Sequence, residues 1–94
     1  MKTLMYIPKE QLADIRFARE EVLPHVDEIK LREMDLTRAL ILGNLEHQKV
    51  KLFICDEELN FLLVETTIWA VTDSRVCLKG GLNVPKQAIV QVEI

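Results

Sequence analysis

The stretch VTDSRVCLKGGLNVPKQAIVQVEI, residues 71–94, decides the fold class. Asp73 and Ser74 make a tight turn into a short strand, RVCLK, at residues 75–79. Gly80 and Gly81 then allow backbone angles that residues with a Cβ resist, so the chain can reverse there. A brief strand, LNV, follows at residues 82–84. Pro85, with its fixed φ, opens a turn before AIVQVEI, residues 88–94, closes the sheet.

Upstream, HQKVKLFIC (47–55) sets Val50, Leu52 and Ile54 in alternation with Lys49, Lys51 and Phe53, the period of a half-buried strand. The polar DEELN (56–60) reads as a hairpin loop. FLLVETTIWAVTD (61–73) is long for one strand, and its β-branched and aromatic residues fit a strongly bent one. Five strands joined by short turns between residues 47 and 94 point to a small antiparallel barrel that closes its own edges.

Before residue 43 the apolar period is helical. IPKEQLADIRFAREEVLP (7–24) predicts a first helix over Pro8–Leu23, with proline in the first turn and Pro24 ending it. Leu12, Ile15, Ala18 or Arg19, and Val22 form its apolar stripe, flanked by Phe17 and Leu23. HVDEIKLREMD (25–35) suits a helix through Val26, Ile29 and Met34, or a strand through Ile29 and Leu31, and stands as a connector. DLTRALILGN (35–44) predicts a second helix. Asp35 would cap it, Leu36, Leu40 and Ile41 would form its apolar edge, and Gly43 would take the left-handed position after its end. The expectation is one α+β domain over residues 1–94. Residues 1–43 would be mainly helical, with one or two helices, and residues 47–94 would form a five-stranded SH3-like or Sm-like barrel.

A short fourth strand, one helical turn started by Pro85 and a fifth strand together resemble the ending of SH3-like and Sm-like small barrels. The helix ending at Gly43 is similar to the Sm-like arrangement, so the resemblance covers residues 35–94. VTDSRVCLKGG followed by VPKQAIVQVEI is also similar to a strand pair of bacterial pleckstrin-homology-like domains. Those domains add a helix after the last strand; here the helix would come from the N-terminal side. RALILGN, KVKLF, VETTIWAVTD and LKGG resemble a group of small uncharacterised bacterial proteins, which implies a shared fold and no particular activity.

Composition narrows the function. Twelve Lys and Arg stand against fifteen Asp and Glu, a net charge of −3, so no strong field of one sign would steer nucleic acid or anionic lipid to the surface. The apolar stretch before Pro8 is too short for a leader, and no run approaches a membrane span. A cytoplasmic location is expected, with Cys55 and Cys77 as free thiols. These cysteines, with His25 and His47, lack metal-ligand spacing, and the acidic Asp56–Glu58 loop lacks the alternating ligands of a calcium site. Gly80–Gly81 is not followed by the lysine and helix of a phosphate loop. Asp73–Ser74 lacks the upstream arginine pair of PilZ-type nucleotide binders. No catalytic residue, metal or cofactor is expected, and the chain does not read as an enzyme.

What stands out is surplus apolar surface. With Val64, Thr66, Ile68 and Ala70 facing inward, Leu63, Trp69 and Val71 face outward, and Phe53 and Ile89 fall on the same outer face. Phe53, Leu63, Trp69, Val71 and Ile89 are the candidate interface. Either the first helix covers it with Leu12, Ile15 and Val22, or a second copy or partner protein does. The function expected is therefore a non-catalytic protein-interaction or assembly module that self-associates. The alternative is a weak RNA-binding module of Sm-like type. Its five cations, Lys49, Lys51, Arg75, Lys79 and Lys86, are outnumbered by six acids in the same half.

Overall fold

The computed structural model describes residues 4–94 and gives an α+β fold. Its helix, α1, runs unbroken over Val26–Glu46, so the connector at 25–34 is helical and joins what was expected as a separate second helix. Arg32, Leu36, Ala39 and Gly43 recur on one buried face. A charged residue at a core position is what obscured the helical period in this stretch. Asp35 is not a cap; it sits mid-helix beside Arg38, 3.6 Å away. The left-handed C-cap is His47 (φ 54°), whose N–H bonds the Gly43 carbonyl. Gly43 serves packing instead: a Cβ there would fall well inside 3.0 Å of the Ile68 carbonyl oxygen.

The predicted first helix does not form. After β1 (Leu4–Tyr6) comes only a 3-10 turn, Lys9–Asp14, and the chain is extended at Ile15. Tertiary pairing overrides helical propensity here. Ala18 N–H bonds the Cys55 carbonyl at 3.1 Å, Glu57 N–H bonds the Arg16 carbonyl at 2.8 Å, and Val22 N–H bonds the Gln87 carbonyl at 2.9 Å. Residues 15–23 thus form an extended strap, in which Ala18 and Leu23 are buried.

The strands are β2 (Val50–Cys55), β3 (Phe61–Thr66), β4 (Ile68–Val71), β5 (Arg75–Leu78), β6 (Asn83–Pro85) and β7 (Ile89–Glu93). With β1 they number seven among the described residues, not five. They lie in two sheets, ordered β1-β3-β2-β7 and β4-β5-β6, which do not close into a barrel. The long run 61–73 bends as expected, but the bend is a break. At buried Thr67 the chain leaves the first sheet for the second. The Thr67 hydroxyl donates to the His47 carbonyl (3.3 Å), and its own carbonyl accepts from Lys79 N–H (2.9 Å). The extra strand, β1, pairs parallel with β3, and Ile7 N–H continues the contact to the Leu63 carbonyl.

The turns follow their residues. Asp56 Oδ1 accepts from Glu58 N–H (3.0 Å) and Asn60 N–H (2.8 Å) in the β2–β3 hairpin loop. Gly80 and Gly81 have φ of 95° and 86° at the β5–β6 reversal, and Pro85 leads into one 3-10 turn, Lys86–Ala88. α1 packs on β4 and β7 over a core that includes Leu36, Leu52, Ile54, Leu62 and Ile68, all without exposed surface.

Candidate functional site

The solvent side of the first sheet is built by period-two alternation. Leu52 and Ile54 of β2 point into the core, whereas Lys51 and Phe53 point away. The register sets Tyr6 beside Leu63, Leu63 opposite Phe53, and Phe53 opposite Gln91. One step along, Leu4 neighbours Phe61, which faces Cys55. An apolar row therefore crosses three strands: Phe53 and Leu63 are half-buried, while Tyr6 and Phe61 are exposed. The Tyr6 hydroxyl donates to Glu65 Oε1 at 3.2 Å; desolvation, then the Glu65 charge, raises its pKa.

Of the five predicted interface residues, the structure brings together Phe53 and Leu63. Trp69 lies on β4 in the other sheet, 50% exposed, where the pairing with β5 shifts register. Val71, half-buried, pairs with Val76 in that sheet. Ile89 is not on an outer face: it has no exposed surface and pairs with Ile54. The cause is a bulge. Phe53 pairs with Gln91 but Ile54 with Ile89, so Val90 is an extra residue that turns Ile89 inward. No first helix covers these residues; Leu12 of the 3-10 turn belongs to the core, and Ile15 and Val22 pack against it from the strap.

Sequence reasoning missed a groove of about 820 Å³ between the strap and the β2–β3 hairpin loop. Ala18, Val22, Cys55 and Phe61 line it with apolar surface, and Arg19 and Glu57 stand at its margin 3.9 Å apart. Its size falls within the range of ligand-binding clefts. Reading the strap as a helix removed one wall, so no sequence signal for the groove survived. Burial, then the Asp56 charge, pushes the Cys55 thiol up, which keeps it protonated and a poor nucleophile.

Behind the strap, Arg32 is 4% exposed. Its Nη1 and Nη2 donate to Glu21 at 2.6 Å each, and Nη1 also donates to the Ile89 carbonyl at 2.9 Å. Burial by itself raises the Glu21 pKa. The Arg32 hydrogen bonds and charge, with the Leu23 and Val22 amides, outweigh it and hold the carboxyl below its ordinary value. This pair ties strap, α1 and β7 together, a structural duty.

Among the described residues no group of three or more His, Cys, Asp or Glu could hold a metal ion. No described helix is long and apolar enough to cross a membrane. Two of the five cations of residues 47–94 are engaged: Lys86 with Glu33 at 3.0 Å and Lys51 with Glu93 at 4.0 Å. Comparison with family models, curated proteins and solved structures finds no match to this chain.

Proposed function

We propose that this chain is a non-catalytic protein-interaction or assembly module of the cytoplasm, associating with copies of itself through the outer face of its first sheet. The observation that carries this reading is the row Tyr6, Leu63 and Phe53, with Phe61 beside it, on the solvent side of paired strands. Burying one large apolar side chain is worth roughly 1.5–3 kcal/mol, so a contiguous group of them favours a covered state. The Sm-like resemblance supplies the alternative, an RNA-binding module. The ion pairs of Lys51 and Lys86 leave fewer free cations for phosphate, which favours assembly.

Light scattering on the eluting protein, with ultraviolet absorbance to detect bound nucleic acid, tests the proposal. A mass above 10.9 kDa without nucleic acid, lowered by Phe53→Glu, supports it. A monomer at every concentration sinks it, and a nucleic-acid signal across the peak transfers the argument to RNA binding.

A further inference from the structure

The side of α1 turned away from the core is also apolar. Leu31, Met34, Ile41 and Leu45 are 56%, 63%, 51% and 76% exposed. With Arg38 they follow the alternating three- and four-residue spacing of a coiled-coil seam, on the face opposite Arg32, Leu36, Ala39 and Gly43. Among the described residues the main sheet contacts of α1 lie on β4 and β7, and these four side chains each keep more than half of their surface exposed.

We infer that α1 pairs antiparallel with α1 of a second copy, the two-fold axis passing at the level of Leu36, midway along Val26–Glu46. The seam is self-complementary in that register. Leu31 of each chain meets Ile41 of the other, and Met34 meets the aliphatic stem of Arg38. The Arg38 guanidinium, held 3.6 Å from Asp35 within one chain, then also faces Asp35 of the second copy, one residue beyond Met34. The charge inside the seam is thereby matched twice by symmetry. A parallel pair would instead stack Arg38 on Arg38. One mismatch remains in the antiparallel register, Asp27 opposite Leu45.

This contact goes beyond the sheet-face reading and stands separately from it. Two different two-fold contacts on one chain build an assembly larger than a dimer, a closed tetramer where the two axes cross at right angles. The two are separable by sedimentation of the full chain. Leu31→Glu and Ile41→Glu alter exposed positions and leave the fold intact by circular dichroism. Each weakens the helix contact at least about tenfold, the equivalent of one large side chain's burial. Asp27→Leu strengthens it.

Geometry is read by disulfide trapping in a Cys77→Ser background. Leu31→Cys mixed with Ile41→Cys cross-links efficiently. Leu31→Cys alone does not, because antiparallel partners at that position are about 15 Å apart along the axis. A wild-type mass unmoved by Leu31→Glu and Ile41→Glu, or no cross-link in the mixture, overturns the helix pair. If Phe53→Glu still lowers the mass, the sheet-face reading survives that failure. Self-linking of Leu31→Cys also overturns the inference, in favour of a parallel arrangement.

Discussion

Replacing Gly43 by alanine sets two effects against each other, and the structure says which wins. In an exposed helix the change gains about 0.8–1.0 kcal/mol, because glycine loses more backbone freedom on folding. Here the added Cβ would meet the Ile68 carbonyl oxygen well inside 3.0 Å and the Thr67 methyl at 3.1 Å. The first of these is backbone at the start of β4, next to the point where Thr67 is held by both His47 and Lys79, so it has little freedom to retreat. Overpacking of this kind costs typically 1–3 kcal/mol. Taking the upper end for a backbone obstacle and subtracting the propensity gain leaves a net loss of about 2 kcal/mol. For a domain this size that lowers Tm by about 8–16 °C. Thermal unfolding followed by far-ultraviolet circular dichroism reads it directly. Gly81→Ala is the control: its Cβ would have nothing within 4 Å, and only the positive φ of 86° is strained, at roughly 1–2 kcal/mol. An unchanged or raised Tm for Gly43→Ala would refute the close approach of α1 to β4.

Three further outcomes are expected. Glu21 titrates below its ordinary value in the fold, so its contribution to stability is complete above the unfolded pKa of about 4.3 and fades as pH falls through the lower folded value. Glu21→Gln should remove that acid-side slope and destabilise the protein at neutral pH by leaving Arg32 buried without its partner; denaturation midpoints across pH, unchanged by the substitution, would exclude this. With a disulfide reagent Cys77, half-buried with its Sγ 2.8 Å from Asn83 Oδ1, should react promptly, and buried Cys55 only in denaturant; two equally fast thiols would contradict the strap's placement. Trp69, half exposed, should emit to the red and be quenched by iodide in dilute solution; a blue-shifted, protected tryptophan would show its surface covered.

Much of the second half of the fold is legible in its residues. The turn-formers Asp56, Gly80, Gly81 and Pro85 have local physical effects, and each acts where the sequence places it. What escapes is whatever long-range pairing decides. Residues 15–23 carry a helical pattern, yet their backbone groups find partners on Cys55, Glu57 and Gln87. Buried Arg32 disguises the period of α1 because its partner, Glu21, lies eleven positions away. At the candidate site, Phe53 and Leu63 are legible from alternation, while Ile89 is not: one extra residue at Val90 reverses the faces, and nothing in AIVQVEI announces it. Phe61 and Tyr6 join the row only through register and the parallel pairing of β1.

That parallel pairing has a mechanical consequence. β1 and β7 form the opposite edges of the first sheet, and both run in the direction of β3, with β2 opposed. Tension applied at Leu4 and Glu93 drags the two edges past each other lengthwise. The ladder bonds of all three pairings then carry load together instead of peeling one by one. Held at those two points, the sheet is gripped in shear, the direction in which paired strands yield last.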